Sequence, residues 1–440
     1  MRPQPDPGST NFTADVVGFC PILGLRREQS KELLFGETTS QDRFRLRWAL
    51  NCPVEGMTML NDKLSAIVKQ AISWRHDIHS HPELAYKEIR TSRFVAEKLR
   101  EFGVDHIEEG IACTGVLATI KGKASASGPR IGLRADLDAL PIKEISDKPY
   151  RSKIDGCMHA CGHDGHIAML LAAAQYLAST RNFNGTAVLI FQPAEEGAMG
   201  AERMVEAGIF DRYPIDEIYG LHNWPGLPIG KVAIRPGPVM PTFDVFRVSI
   251  EGVGAHAAKP QNAIDPLVIG CHIVTALQTI VSRNIDPLEM ACVSVCAFHC
   301  GEASNVISPT AEIIGSARAY SKKVQDTIAS RTEELCVGIG KAFGAKVSVD
   351  YTRTLPAVVN DAAAVQTAQA AVQQAGLDLV TDWPPSTAGE DFSFFLEKVR
   401  GAFIFVGNGD SEVLHNPSYD FSDDCFIYGM RTLISLVECR

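Results

Sequence analysis

Cys161 and His163 stand two residues apart in "MHACGHDGH", a glycine-containing stretch that runs straight into an alanine- and leucine-rich segment. A thiolate and an imidazole so placed at a helix entrance can face one point, and both are strong ligands for zinc-like transition metals. A second cluster, "FQPAEEG", sets Glu195 and Glu196 at the end of an apolar run. Read as extended chain, the two carboxylates point to opposite sides. One can then bind a cation while the other stays free to take a proton from water as general base. His222 in "GLHNWPG" and His415 in "VLHNPS" share a Leu-His-Asn setting followed by proline, which places both in loops. Asp136 and Asp138 close the run "LRADLDALP", where a carboxylate accepting the spare N–H of a ligating imidazole would fix its tautomer.

Each cluster alone has a plainer account. Cysteine is among the most buried residues, acidic residues favour helix N-termini, and aspartates often end strands. Two other assignments stay open from the residues themselves. One is a structural zinc site made of Cys157, His159, Cys161 and His163 within one loop; the other is a non-catalytic metal-binding or dimeric interaction protein. Against the first stand the distant histidines in matching Leu-His-Asn turns, on separate loops beyond strand ends where open α/β sheets place their active sites; against the second stands Glu195, a base for which a mere binder has no use.

The elements that must position these residues follow from periodicity. In "NDKLSAIVKQAISWRHDIH", Leu64, Ile67, Val68 and Ile72 recur at helical spacing behind Asn61, which is expected to cap the helix. A second helix ends at Gly103. The runs "GVLATIKG", "RIGLRADLDALP", "TAVLIFQ" and "EIYGLHNW" read as strands separated by helices over 166–180 and 199–208. That alternation predicts an α/β fold with a mainly parallel sheet flanked by helices. From Phe243 the pattern becomes strand, helix (264–283), two strands, helix (322–344) and strand, the β-α-β-β-α-β order of a ferredoxin-like unit. The expected organisation is an N-terminal appendage over 1–56, disordered or a mis-called start, and a catalytic domain in two parts, 57–239 and 355–440. Between them lies an inserted second domain over 240–354.

Composition narrows the partners. The 440 residues carry a formal net charge of −10 with no long basic run, which argues against nucleic acid or an anionic membrane and for small molecules. Twelve scattered cysteines favour reduced thiols. No window is read as a membrane span, the N-terminus lacks a secretory signal pattern, and the expected address is cytoplasmic.

Taken together, "HSHPEL", "LRADLDALPI", "MHACGHDGH", "FQPAEEG", "GLHNWPGLPIG", "GAHAAKP" and "AGEDFS" resemble the metallopeptidase superfamily of aminoacylases and carboxypeptidase-G-like enzymes. Within it they resemble the amidohydrolase branch of hippurate and indole-acetyl-amino-acid hydrolases, from about residue 60 to the C-terminus. The resemblance implies two divalent metal ions per subunit (zinc, manganese, cobalt or nickel) held by Cys161, His163, Glu196, His222 and His415, with Cys161 bridging. It implies Glu195 as general base, Asp136 as support behind the ligands, and His256 as oxyanion donor, reaching a neighbouring subunit's site. Asn305 and Arg318 would hold the substrate carboxylate. The implied activity is hydrolysis of N-acyl amino acids or short dipeptides by a homodimer or higher oligomer, with residues 240–354 as a lid and dimerisation domain hinged near 238–241 and 354–356. Where other branches have His-x-Asp, this chain reads Arg134-Ala135-Asp136, a departure shared with the amidohydrolase branch.

Overall fold

The structure, a computed structural model, describes residues 54–124 and 127–440, with side chains from Leu64 onward. Expectations for residues 1–53 lie outside it. Residues 54–56 already belong to the first helix, α1 (Val54–His79). Asn61 is therefore inside α1 and does not cap it, because helical spacing reaches back beyond it. Helix α2 (Ile89–Phe102) ends at Gly103, whose φ of 70° lets its N–H reach Arg100 and Leu99.

Eight strands form a mixed sheet. They are β1 (His106–Ile111), β2 (Gly115–Lys121), β3 (Arg130–Asp136), β4 (Thr186–Gln192), β5 (Glu217–Trp224), β6 (Lys231–Ala233), β15 (Asp378–Val380) and β16 (Gly401–Gly407). Their order is β1-β2-β4-β3-β5-β16-β6-β15. The central strands β4, β3, β5 and β16 run parallel, whereas β1/β2, β2/β4 and β16/β6 are antiparallel. These central strands are buried almost throughout, so they read as continuous apolar runs. Helix α3 (His163–Thr180) is buried on nearly every side and packs against β3 and against the C-terminal helix α8 (Phe426–Glu438). That is why its sequence is apolar all round. The other face carries a core of Val188, Ile190, Ile218, Phe392, Phe395 and Phe403, joined by the short helix α4 (Gly200–Glu206).

The second sheet is antiparallel, in the order β10-β12-β8-β13, built from β8 (Phe243–Glu251), β10 (Ala291–Cys300), β12 (Thr310–Ala319) and β13 (Lys346–Leu355). Helices α5 (Pro266–Thr279) and α6 (Lys322–Ala342) cover one face, so Phe246, Val248 and Ile250 of β8 meet Ile269, Ile273, Leu277 and Ile328. This is the expected ferredoxin-like order. The helix expected over 264–283 ends at Thr279 and continues as a π-turn over Ile280–Asn284. The segment Pro266–Asn284 is long and apolar enough to cross a membrane, with a mean hydropathy of 1.3. That corrects the expectation that no window qualifies. Its buried side packs on the sheet, while Leu267 and Val268 stay exposed.

Small ribbons complete the frame: β9 (Ala255–His256) with β11 (Val306–Ile307), and β7 (Gly237–Met240) with β14 (Val358–Asn360). The second ribbon pairs the two chain segments that enter and leave the second sheet. Helix α7 (Ala362–Gln374) starts on an Asp361 side-chain cap and leads back to the large sheet.

Candidate metal centre

The C-terminal ends of β3, β4, β5 and β16 lie side by side, and the residues singled out for chemistry sit at those ends. The loop after β3 delivers Cys161 and His163 to the start of α3; β4 leads to Glu195 and Glu196. His222 is carried by β5 and His415 by the loop after β16. This is where parallel open sheets place ligands.

Gly162, between the first two, has φ 94°. A Cβ there would stand 2.3 Å from Asn223 Oδ1 and 2.9 Å from the Tyr419 hydroxyl, so the turn closes this tightly only around glycine. Cys161 Sγ lies 3.4 Å from His222 Nε2. Glu196 Oε1 lies 3.2 Å from His415 Nε2 and 3.9 Å from His163 Nε2. The donor atoms of Cys161, His163 and His222 all fall within 4.8 Å of one another, as do those of Cys161, Glu196 and His415. Cys161 belongs to both groups. His415 has φ 65°, and its amide donates to the carbonyl of Ala160 (2.8 Å), which ties it to the cysteine loop.

The donor set fits divalent metal. His163 Nε2 and Glu196 Oε1 are buried and have no hydrogen-bond partner among the described residues, a situation native interiors avoid. Burial opposes charge on His163, yet Asp136, Asp138 and Glu196 outweigh it and push its pKa up to about 10. Burial, followed by Glu196, Glu195 and Asp136, drives the Cys161 thiol well above its usual range. Burial and the neighbouring His166 hold His222 well below its usual value, as a neutral imidazole ready to coordinate. Such a pocket calls for positive charge. Glu195 belongs to neither Cys161 group; its carboxylate groups with His163 and Glu196 on one side and with Glu390 and Asp391 on the other, and burial followed by Glu390 and Glu196 holds its carboxyl well above the usual range.

Several sequence expectations are corrected. Glu195 and Glu196 do not lie in extended chain: β4 stops at Gln192, and the pair sits in a tight turn that includes left-handed Ala194. Pro193 cannot donate to a ladder and breaks the strand first. His222 is inside β5, not in a loop. The tautomer of His163 is fixed by the main-chain oxygen of Asp138, which accepts from Nδ1 at 2.8 Å. Asp136 instead accepts from His166 Nδ1 and Arg134 Nη1, each at 2.7 Å. The one-loop zinc site is not formed: among the described residues, no ligand-capable group includes Cys157 or His159.

His256, Asn305 and Arg318 lie on the second sheet and its ribbon. His256 is exposed and its Nδ1 accepts the Ala258 amide, while the Asn305 carbonyl accepts the Ala257 amide. Arg318 stacks its guanidinium 4.8 Å from the Phe243 ring centre. None of the three joins a ligand group among the described residues.

Sequence reasoning gave no role to Arg134, Glu390 or Asp391. The buried Arg134 guanidinium reaches Gln192, Asp136, Glu390 and Asp391. The signal was present as charged residues inside apolar runs, which must be paired if buried.

Residues 132–438 match the profile of Peptidase family M20/M25/M40. The chain belongs to this family. N-acetyl-L-cysteine deacetylase of Bacillus subtilis is 40% identical, aligned over 83% of this chain and 86% of its own. Hippurate hydrolase of Campylobacter jejuni is 40% identical over 79% and 91%. The crystal structure of the YXEP protein of Bacillus subtilis, described as a dinuclear metal binding peptidase, superposes with a TM-score of 0.75 at 34% identity. It covers 84% of this chain and 98% of that one. This M20 protein is a metal-dependent amidohydrolase.

Proposed function

We propose that this M20 amidohydrolase cleaves the amide bond of N-acyl amino acids, hippurate-like or indole-acetyl-like conjugates, or short dipeptides. It would use two divalent ions per subunit, drawn from zinc, manganese, cobalt or nickel. The supporting observation is that two donor groups share Cys161 while Glu195 stands beside them and outside both. Cys161, His163, Glu196, His222 and His415 would hold the divalent ions, which would polarise the scissile carbonyl and acidify a water.

The protein's own residues carry the protons. Glu195 takes the proton of the attacking water and returns it to the leaving amine nitrogen. Asp136 holds Arg134 and His166 behind the ligands. With Nδ1 of His256 accepting from Ala258, its proton sits on Nε2, where it can be donated to the oxyanion in a second copy's site. Asn305, on the same ribbon, and Arg318 bind the substrate carboxylate.

The same reading makes residues 240–354 a lid and dimerisation domain that swings on the segments at 238–241 and 354–356, beside the ribbon that pairs Gly237–Met240 with Val358–Asn360. Its exposed Leu267 and Val268 on α5 and its edge strand β10 supply a surface for a second copy. Neither nucleic acid nor membrane is a partner in this reading, and the address is cytoplasmic.

The test is a hydrolysis screen over N-acetyl, N-benzoyl and indole-acetyl amino acids with metal-reconstituted protein, alongside elemental analysis. Turnover of one acyl class at about two metals per chain is expected. Metal-loaded protein inert towards every class would end the proposal.

A further inference from the structure

The turn that carries Glu195 and Glu196 is held from outside by carboxylates that no ligand set includes. The amide of Ala194 donates to Glu88 Oε1 at 2.9 Å, that of Glu195 to Asp138 Oδ1 at 3.0 Å, and that of Glu196 to Asp138 Oδ2 at 3.0 Å. Three consecutive amides thus end on two buried carboxylates that come from the start of α2 and the end of β3. Glu88 is itself fixed by the Thr114 hydroxyl at 2.6 Å.

The backbone between these anchors is one that L residues avoid. Ala194 has φ 55° and Gly197 φ 72°, with Glu196 at φ −70°, ψ 80° between them. Adjacent residues in such a turn can share one neighbour and part at the next: Glu195 and Glu196 both group with His163, while only Glu196 joins Cys161 and His415 and only Glu195 joins Glu390 and Asp391. Left-handed Ala194 persists only where its surroundings over-determine it, and charge-assisted bonds to its own amide and the next two can do so. Asp138 also takes Nδ1 of His163 on its main-chain oxygen, so one residue aligns the base, one carboxylate ligand and one imidazole ligand.

We propose that Glu88 and Asp138 are positioning residues that together clamp the 194–196 turn and set the divergence of Glu195 from Glu196. The inference rests on the roles given to Glu195 and Glu196 above. Neither clamp residue touches substrate; both act through the turn.

The variants are chosen by hydrogen-bond capacity. Asp138→Asn keeps the shape but turns an NH2 against one of two amides, so it breaks the clamp. Glu88→Ala removes the anchor on Ala194, whereas Glu88→Gln keeps an oxygen for it. With metal loaded, Asp138→Asn and Glu88→Ala are expected to lower kcat by about 100-fold with KM little changed, as for a base displaced by an ångström or so. Glu88→Gln should recover most of the loss seen in Glu88→Ala. Adding Ala194→Gly to Glu88→Ala should also recover part of it, because glycine holds the left-handed backbone without help; a role in packing alone would not be rescued so.

The visible spectrum of cobalt-substituted protein gives a second readout, independent of turnover. It should change in Asp138→Asn, as Glu196 and His163 shift, while metal content stays near that of the parent. If the parent protein hydrolyses nothing, the proposed function fails and the cobalt spectra still decide the clamp. An Asp138→Asn spectrum identical to the parent's overturns it. With an active parent, a Glu88→Ala loss that neither Gln nor Ala194→Gly restores overturns the part given to Glu88.

Discussion

Cys161 Sγ and His222 Nε2 stand 3.4 Å apart, although 61 positions separate them in the chain. The sheet order explains the meeting. β5 lies next to β3, so a strand residue near the end of one reaches the loop that leaves the other. The same thiol also belongs to the group with Glu196 and His415, which makes Cys161 the shared member of two donor sets.

Replacing that shared member should therefore disturb both sets at once. Cys161→Ser is expected to drop the metal content from about two ions per chain to one or fewer, read by elemental analysis after dialysis. Stoichiometry equal to the parent's would remove Cys161 from the ligand set.

Glu195 lies outside both Cys161 groups, so its loss should separate binding from chemistry. Glu195→Gln is expected to keep its metal and its melting temperature while kcat falls by about 1,000-fold. A variant that turns over substrate at near the parent's rate refutes the base assignment.

How much of this was legible beforehand depends on the kind of signal. The strands around β3, β4, β5 and β16 and the β-α-β-β-α-β order showed in periodicity, because buried parallel strands are uniformly apolar and the second sheet alternates. The five ligand-type residues showed because soft or acidic side chains gathered at strand ends. What stayed hidden was set by approach in three dimensions. The left-handed turn at Ala194, the choice of the Asp138 carbonyl over the Asp136 carboxylate for His163, and the Arg134 network all link segments distant in sequence. Asn61 misled because a good capping residue is tolerated inside a helix whose spacing continues past it.

His79, whose partner Asp164 follows the ligand His163 in the chain, offers a pH test of stability. Burial alone would lower its pKa, but Asp164, 2.9 Å from Nδ1, and Glu144 outweigh burial and raise it to about 9. A group whose folded pKa lies above its unfolded value of about 6.5 stabilises fully below that value and loses the contribution as pH rises through 9. The stability gap between the parent and His79→Gln, from urea unfolding at a series of pH values, should shrink steadily from pH 6 to about 9.5. A gap that stays level or widens over that interval contradicts the charged pair.

Arg134 pairs with three buried carboxylates behind the metal ligands. It is fully buried, and its guanidinium donates to Gln192 at 2.8 Å, Asp136 at 2.7 Å, Glu390 at 2.9 Å and Asp391 at 3.2 Å. Arg134→Met would leave three buried carboxylates facing one another without a cation, at a cost of about 3–5 kcal/mol. Arg134→Lys keeps the charge but presents a point donor where a planar fork spans four acceptors. It too should lose stability, though less than the Met variant. Urea unfolding of the three proteins at neutral pH should rank them Arg above Lys above Met. Equal midpoints for Lys and Arg would mean that charge alone, without the fork, satisfies these carboxylates.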